Sequence, residues 1–187
     1  MRIISGKFKG KNIIFLKTET TRPLKDSVKE NIFNIMDHSN LINVSIEKSN
    51  ILDLYSGIGS FGLECLSRGA KTITFVENEK KIIKILKDNL LNLSFENQIN
   101  VVEDKVLNFL KTETKKKYEI IFFDPPFADD FFVEELKLIF SKKMYKKNHI
   151  VIIHRKSKSD DNLDEMIKPL VIKKYGRSKI IFGKFLS

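Results

Sequence analysis

The sequence is poor in the residues that build disulfides and metal sites. Its 187 residues include one cysteine, three histidines and no tryptophan. The lone Cys65 excludes an internal disulfide and any CxxC metal motif, and the histidines lack the spacing of metal ligands. We therefore expect no metal, and a reducing, cytoplasmic compartment.

Long apolar runs are also missing. No stretch approaches the roughly 20 apolar residues of a membrane-spanning helix, and residues 1–7 are too polar to begin a signal peptide. Hydrophobic residues nevertheless make up 42% of the chain, which is enough to fill the core of a folded domain. The length fits one domain with a short appendage, and we expect a monomer.

Acidic residues are scarce at the two ends of the chain. The net charge of +10 is divided into +6 for residues 1–29, +6 for residues 168–187 and −2 for the residues between them. A uniform preference for lysine would not leave the middle slightly acidic. The distribution favours a polyanion as the partner, against the alternative that the lysines only keep the two ends solvated.

Strands and helices alternate through most of the chain. Apolar runs predict strands at residues 51–54, 72–76, 99–102, 118–123 and 150–153, and apolar periodicity predicts helices at residues 61–68, 82–93, 106–111 and 131–140. Near-continuous apolar strands between helices indicate an α/β fold with a parallel sheet covered on both faces. The apolar runs at residues 170–172 and 180–182 are too close for a crossover helix, so we predict an antiparallel hairpin.

The beginning of the chain has a different pattern. Residues 2–16 alternate loosely around Gly6 and Gly10 and predict a small β-hairpin. A capping-box pattern at residues 27–30 predicts the start of a helix, and apolar residues follow at helical spacing.

A glycine-rich turn follows the first predicted strand of the α/β region. Gly57, Gly59 and Gly62 form a G-x-G-x-x-G pattern between a strand and a helix, as in nucleotide-binding turns. Glu77 ends the next strand, where a carboxylate can meet ribose hydroxyls. Asp53 lies at the tip of the first strand and would repel the pyrophosphate of a dinucleotide. The same carboxylate favours the ammonium and the sulfonium of S-adenosylmethionine.

Two smaller features have ordinary structural interpretations. Asp104, just past the third strand, is predicted either to receive an adenine amino group or to cap the helix that starts near Val106. Glu64 and Arg68 are four residues apart on one predicted helix, which favours a local ion pair over a catalytic role. We expect Cys65, beside them, to pack in the core.

The tetrapeptide Asp124-Pro125-Pro126-Phe127 follows the fourth strand, at the edge where open α/β sheets bind ligands. Two acceptors aimed at the hydrogens of a base amino group draw its lone pair out of conjugation, and the Asp124 carboxylate and the Pro125 carbonyl supply them. The prolines fix φ and remove backbone donors, and Phe127 can stack on the base for about 1–3 kcal/mol. A proline pair that merely ends a strand would not explain the carboxylate or the ring. The motif predicts methylation of an exocyclic amino group on a base that is unpaired or flipped out.

These motifs, together with the beginning of the chain, resemble the RsmD family of bacterial 16S ribosomal RNA guanine-N2 methyltransferases. The glycine loop and the tetrapeptide mark amino-methyltransferases in general, and the N-terminal segment with Arg22-Pro23 narrows the likeness to this family. The chain departs from the family pattern at Ser27 and Lys29, where arginines are usual, and at His154-Arg155-Lys156, where an acid often ends the fifth strand. The likeness runs through residues 1–10, 21–34, 53–70, 124–127 and 175–176.

The resemblance implies a Rossmann-like class I methyltransferase fold with a mostly parallel seven-stranded sheet and a C-terminal antiparallel hairpin. It implies two parts, an RNA-contacting appendage at residues 1–40 and a methyltransferase domain at residues 41–187. The implied cofactor is S-adenosylmethionine, the implied substrate is a 16S rRNA guanine, and the implied partner is a partly assembled small ribosomal subunit. We assign the cofactor to Asp53, Tyr55, Gly57, Gly59, Gly62, Glu77 and Asp104. We assign catalysis to Asp124, Pro125, Pro126 and Phe127. We assign RNA contacts to Arg2, Lys7, Lys9, Lys11, Arg22 and Lys29.

Three other functions fit some of these features. Methylation of adenine N6 in DNA uses the same chemistry, but it normally needs a target-recognition domain for which the chain leaves little room. A non-catalytic RNA-binding assembly factor would have no need of Asp124, Gly57 and Glu77. A nucleotide-dependent oxidoreductase is disfavoured by Asp53.

Overall fold

The structure is a computed structural model that describes residues 1–15, 26–95, 98–113, 115–126, 131–159 and 161–186. The strands in these residues are β1 Asn50–Leu54, β2 Thr72–Glu77, β3 Ile99–Glu103, β4 Tyr118–Phe123, β5 Tyr145–Lys156, β6 Ile167–Tyr175 and β7 Ser178–Phe185. The helices are α1 Asp26–His38, α2 Ser60–Ser67, α3 Lys80–Asn92, α4 Val106–Thr112 and α5 Phe132–Ser141. None of the helices in the described ranges is long and apolar enough to cross a membrane.

The strands form one seven-stranded sheet in the order β3-β2-β1-β4-β5-β7-β6. The first five strands are parallel, and β7 runs antiparallel between β5 and β6. This confirms the predicted Rossmann-like class I methyltransferase fold and its C-terminal hairpin. The strand order reverses between β1 and β4, and open α/β sheets bind ligands at such a switch point.

Both faces of the sheet are covered, which explains the unbroken apolar strands. Ile51 and Ile120 lie on the face that packs against α1, α2 and α3. Their neighbours Leu52 and Ile121 lie on the other face, against α4 and α5. Since successive residues of a strand point to opposite faces, most positions of a doubly covered strand are apolar.

The N-terminal segment is a compact loop. The two arms of the predicted β-hairpin pair antiparallel through a bridge between Arg2 and Asn12 and through backbone hydrogen bonds from the Ile3 N–H to the Lys11 carbonyl and from the Ile13 N–H to the Met1 carbonyl, but neither arm is a regular strand. Gly6 and Gly10 have φ of +80° and +85°, so tight turns interrupt the pairing. A Cβ on Gly6 would stand 2.0 Å from the carbonyl oxygen of Ser67. The loop therefore packs directly on the last turn of α2.

Several element boundaries differ from the predictions. Helix α1 begins at Asp26, so residues 27–30 lie inside the helix and are not a capping box. Strands β5, β6 and β7 extend well beyond their predicted apolar runs. Polar residues such as Lys173 and Lys174 continue an edge strand, where one side of the backbone has no neighbour and periodicity is weak.

Candidate active site

The predicted cofactor and catalytic residues that the structure describes lie at the edge of the sheet where the parallel strands end, which we call the carboxyl edge. The glycine loop follows β1 and the tetrapeptide follows β4, so both stand at the switch point. We call the opposite edge, where the parallel strands begin, the amino edge.

Glu77 fastens the glycine loop to the end of β2. Its Oε2 accepts a hydrogen bond from the Gly57 N–H at 2.9 Å. Its Oε1 accepts from the N–H groups of Asn78 and Glu79 at 2.8 and 2.9 Å. A carboxylate that accepts several backbone N–H bonds is held in one orientation. Glu77 therefore shapes the loop, besides the ribose contact that the sequence predicts for it.

The loop also depends on the absence of side chains at two glycines. Gly59 caps the N-terminus of α2 with φ +84°, in the left-handed region that favours glycine. A Cβ on Gly62 would stand 2.2 Å from the Phe75 ring. The helix can therefore approach β1 and β2 closely only with glycine at this position.

Asp53 lies beneath the loop and is almost completely buried, with 1% of its surface exposed. Its Oδ2 accepts a hydrogen bond from the Gly62 N–H at 3.0 Å, which confirms that the carboxylate reaches the glycine turn. Its Oδ1 has no hydrogen-bond partner among the described residues. Burial raises the pKa of Asp53 well above its usual range, and the nearby charges of Asp124 and Glu77 add to the shift. A buried carboxylate with one unsatisfied oxygen is costly unless a donor or a cation meets it.

Tyr55 has a partner that the sequence did not reveal. It follows β1 with φ +57°, and its hydroxyl lies 2.8 Å and 3.0 Å from the two carboxylate oxygens of Glu135. Glu135 is 2% exposed and belongs to α5. The available signal was its position between Phe132 and Ile139 on the buried face of that helix, where an unpaired acid is rare.

The end of β5 holds the tetrapeptide from two sides. His154 Nδ1 lies 2.7 Å from Asp124 Oδ1. An ionised carboxylate only accepts hydrogen bonds, so Nδ1 carries the proton in this contact. Arg155 points the other way and donates to the Pro126 carbonyl at 3.3 Å. Its guanidinium stands 3.9 Å from the centre of the Phe132 ring. Sequence reasoning gave neither side chain a role in the site, because each contact joins residues about thirty positions apart.

Asp161 anchors Arg155 behind the motif. Arg155 is 5% exposed and donates to both Asp161 oxygens, at 3.4 and 3.3 Å. Ser159 and Lys179 contact the same carboxylate. A planar guanidinium held between a carboxylate, a ring and a carbonyl has little freedom. The Pro126 end of the tetrapeptide is therefore held in place. Phe127 lies outside the described residues.

Asp104 lies at the carboxyl edge next to β3, and it is exposed. Its Oδ1 accepts hydrogen bonds from the Lys105 N–H at 2.7 Å and from Asn108 Nδ2 at 2.9 Å. Lys105 occupies the N-cap position of α4. Asp104 therefore steadies the start of this helix from one residue outside it.

One predicted RNA contact is wrong. Lys29 is fully buried, and its Nζ donates to the Arg2 carbonyl at 2.9 Å and lies 3.9 Å from Glu64 Oε2. Burial lowers the pKa of Lys29, and the Glu64 charge opposes this shift. Glu64 is also fully buried and accepts the N–H groups of Ile4 and Ser5. Lys29 thus fastens the N-terminal loop to α2 and does not reach a phosphate.

The ion pair predicted within α2 is confirmed. Arg68 Nε donates to Glu64 Oε1 at 2.9 Å, and the guanidinium also pairs with Asp37. The same guanidinium lies 4.4 Å from the centre of the Phe33 ring. Cys65 between them is buried in the core, as expected.

The N-terminal loop with its exposed basic residues packs over α1 and α2, and the turn at Lys7 and Phe8 reaches the amino edge. The Lys7 N–H donates to the Ser67 carbonyl at the end of α2, and the Phe8 ring packs 4.8 Å from Phe95, which follows α3. Arg2, Lys7, Lys9 and Lys11 are all exposed. Arg22 lies outside the described residues.

Among the described residues, no group of three or more His, Cys, Asp and Glu side chains could hold a metal ion. What the carboxyl edge does offer is a glycine-lined turn over a buried carboxylate and, across the switch point, a clamped Asp-Pro-Pro strip.

Comparison with known proteins identifies relatives along the whole chain. The family model described as conserved hypothetical protein 95 matches residues 1–184. "Ribosomal RNA small subunit methyltransferase D" of Buchnera aphidicola is 33% identical over 184 residues, covering 97% of this chain and 88% of that protein. The protein of the same name from Haemophilus influenzae is 34% identical over 156 residues, covering 82% and 77%.

Solved structures share the fold. A candidate methylase from Haemophilus influenzae superposes with a TM-score of 0.80 at 28% identity, covering 100% of this chain and 98% of that one. A candidate methyltransferase from Escherichia coli gives a TM-score of 0.85 at 24% identity, covering 99% and 97%. A candidate methyltransferase solved in complex with S-adenosylhomocysteine gives 0.67 at 15% identity, covering 83% and 49%. With the family model and the curated relatives both spanning most of the sequence, the chain belongs to the RsmD family, whose curated members are named ribosomal RNA small subunit methyltransferase D.

Proposed function

We propose that this chain transfers a methyl group from S-adenosylmethionine to the N2 amino group of a guanine in 16S ribosomal RNA, during assembly of the small subunit. The observation that carries the proposal is a pair of carboxylates on either side of the switch point. Asp53 is buried with one unsatisfied oxygen, and Asp124 is partly exposed and held by His154. The names of the curated relatives support ribosomal RNA as the substrate.

The residues around Asp53 fit a cationic cofactor. S-adenosylmethionine carries an ammonium group and, on its sulfonium, the methyl group to be transferred. Asp53 Oδ1 is the acceptor in need of a positive partner, and neutralising it would relieve the cost of its burial. Gly57, Gly59 and Gly62 keep the loop free of side chains, while Tyr55, Glu77 and Asp104 border the same edge. We assign the cofactor to these seven residues.

We assign Asp124 the role of hydrogen-bond acceptor for the target amino group. Its Oδ1 is engaged by His154, and the structure gives Oδ2 no other partner among the described residues. Oδ2 can therefore accept one amino hydrogen, while the Pro125 carbonyl accepts the second. Two acceptors in the plane of the base draw the nitrogen lone pair out of conjugation, and Oδ2 then takes the proton that the methylated nitrogen loses.

Pro125 and Pro126 limit the motion of this strip, because each proline ring fixes φ. Arg155 restrains its far end through the Pro126 carbonyl. The expected contribution is positioning, which alone is able to supply several kcal/mol of the barrier reduction. We propose that Phe127 stacks on the base once it has left its helix.

The basic N-terminal loop is assigned a supporting role. We propose that Arg2, Lys7, Lys9 and Lys11 contact phosphates of the ribosomal particle at a distance from the target base. Such contacts contribute affinity without sequence information. Residues 1–40 would then serve as the RNA-contacting appendage of a methyltransferase domain at residues 41–187.

The proposal is tested by mass spectrometry of small-subunit rRNA from a strain that lacks this protein. We expect one N2-methylguanosine to disappear, to return with the wild-type gene and to stay absent with an Asp124→Ala gene. An unchanged nucleoside profile in the deletion strain would refute the rRNA assignment. Loss of a different methylated base, such as N6-methyladenosine, would retain the chemistry and change the target.

A further inference from the structure

We infer that the C-terminal hairpin carries the surface that receives the RNA strand next to the target base. This surface, the hairpin strip, consists of Lys173, Tyr175 and Arg177 of the hairpin together with Lys156 at the end of the neighbouring β5. The inference rests on the proposed function, because it takes RNA to be the substrate held at Asp124. The partner chemistry is a single-stranded segment of RNA, bound through its phosphates and one base.

The strand register places the hairpin strip beside the catalytic carboxylate. His154 of β5 is paired with Ile180 of β7, which is paired with Lys173 of β6. Lys156 is likewise paired with Ser178, which is paired with Tyr175. Paired residues of neighbouring strands point to the same face of a sheet. Lys156, Lys173 and Tyr175 therefore share the face of His154, whose ring contacts Asp124.

The hairpin strip lies a short distance from His154. Neighbouring strands lie about 4.8 Å apart, so the Lys173 backbone stands roughly 10 Å from that of His154. The turn between β6 and β7 is fixed at the same edge, because the Ser157 N–H donates to the Arg177 carbonyl at 2.8 Å. A strand whose base is held at Asp124 would thus continue directly over these residues.

The charges of the hairpin are uncompensated on this face. Residues 167–186 carry six lysines and arginines and no acid. Lys156, Lys173 and Arg177 are exposed. Lys179, which points to the other face, is instead bonded to the Ser159 carbonyl and lies 4.0 Å from Asp161. Lys156 and Lys173 on the His154 face, and Arg177 in the turn beside them, are therefore available to phosphates.

Tyr175 supplies an aromatic surface among these cations. It packs against the core and is half-buried, and burial raises the pKa of its hydroxyl. A ring fixed at one side and open at the other is suited to base stacking. Lysines and an aromatic ring on one strip match the way in which proteins bind single strands.

The location distinguishes the hairpin strip from the other lysines of the chain. Lys115, Lys116 and Lys168 are equally exposed but lie at the amino edge, before β4 and at the start of β6. If the lysines only confer solubility, those at the two edges should contribute equally to RNA binding. If an RNA strand docks on the hairpin strip, only the lysines at the carboxyl edge should contribute.

The test compares two triple variants with the same loss of charge. The strip variant is Lys156→Gln, Lys173→Gln, Arg177→Gln, and the control is Lys115→Gln, Lys116→Gln, Lys168→Gln. Binding of unmodified 16S rRNA transcript is measured over a range of salt. We expect the strip variant to bind about tenfold more weakly, with a salt slope lower by about 2, since each single-strand phosphate contact contributes about 0.7. The control should stay within about threefold of wild type, and equal slopes for the two variants would overturn the inference.

Tyr175 is tested separately. Tyr175→Leu should weaken binding about fivefold or more, since stacking is worth about 1–3 kcal/mol per base, and Tyr175→Phe should restore it. Methylation of small subunits from the deletion strain then separates the two claims. Methylation by wild type together with normal RNA binding by the strip variant would refute the strip and leave the proposed function standing. Weakened binding by the strip variant, with no methylation by any protein, would refute the proposed function and leave the RNA surface standing.

Discussion

His154 is expected to position Asp124, and its substitution gives the sharpest test of the proposed site. The two side chains are 2.7 Å apart, and the exposed fractions are 14% for His154 and 25% for Asp124. Without the imidazole, the carboxylate would sample other rotamers and turn towards water. His154→Leu removes the bond with a similar side-chain volume, whereas His154→Asn keeps a donor on the same side.

The expected magnitude follows from the kind of bond that is lost. A hydrogen bond to a charged group contributes about 1.5–3 kcal/mol, and about 1.4 kcal/mol corresponds to a factor of ten in rate. We expect His154→Leu to lower kcat by about ten- to a hundredfold, with KM for RNA within about twofold of wild type. His154→Asn should recover most of kcat. The assay is methylation of small subunits from the deletion strain at saturating cofactor.

His38 provides the matched control, because it is an exposed histidine at the end of α1. His38→Leu should leave kcat and KM within about twofold of wild type. A His154→Leu enzyme with normal kcat would refute the positioning role. Equal losses in the Leu and Asn variants would assign the effect to packing at the end of β5.

Three further predictions concern Asp124, Glu64 and His149. Asp124→Ala should abolish methyl transfer while cofactor affinity, measured by calorimetry, stays within about threefold; joint loss would make Asp124 a cofactor or folding residue. Glu64→Ala should lower the free energy of unfolding in urea by about 3–5 kcal/mol, because it removes the buried carboxylate beside Lys29 and leaves the Ile4 and Ser5 N–H groups without their acceptor. Glu47→Ala, at a side chain that is 67% exposed, should cost less than about 0.5 kcal/mol, and similar costs for the two variants would contradict the network. His149 is held neutral, since burial lowers its pKa from 6.5 and its Nε2 accepts the Phe185 N–H at 2.9 Å. Its contribution to the free energy of unfolding is complete above about pH 6.5 and is lost as the pH falls, because the unfolded chain binds the proton first. The difference in stability between pH 7 and pH 5 should therefore shrink in His149→Phe, and an equal difference would refute this assignment.

The order of the elements could be predicted from the sequence because the central strands are buried on both faces. Residues 51–54 and 118–123 are apolar except for Asp53 and Glu119, and the bounds of these two predicted strands differ from the structure by at most one residue. The edge of the sheet was less predictable. Strand β6 alternates weakly and carries Lys173 and Lys174 where an inner strand would carry valine or isoleucine.

The packing of the N-terminal segment on α2 could not be predicted because its partners there are distant in the sequence. Its backbone N–H groups bond to Glu64 and Ser67, about sixty positions away. Periodicity reports only on pairing between neighbouring segments, so it predicts the short hairpin around Gly6 and gives no sign that this hairpin packs on α2. Lys29 is wrongly predicted as an RNA contact because the residues that bury it are also distant in the sequence. The local sequence around a lysine does not show whether the side chain is buried.

In the candidate site, too, the local features could be predicted and the distant contacts could not. The glycine loop and the Asp-Pro-Pro segment are each continuous in the sequence, and their residue types and spacing indicate their chemistry. The residues that hold them are not local: Glu135 reaches Tyr55 from eighty positions away, and His154 reaches Asp124 from thirty. The sequence therefore indicates which groups are candidates for the chemistry, and the structure shows which groups hold these candidates in place.

Asp53 shows why some positions of the site are visible without a structure. A carboxylate at the end of a buried strand destabilises the free protein, since burial disfavours its charged form and Asp124 and Glu77 repel it. Stability alone would select an apolar residue there, as at the neighbouring Leu52 and Leu54. A residue that contradicts its surroundings in this way is expected where binding supplies the missing partner. If the proposed assignment is right, a cationic ligand would recover on binding part of the cost of burying Asp53, and the affinity of the proposed cofactor site would depend on the same packing that forms the switch point.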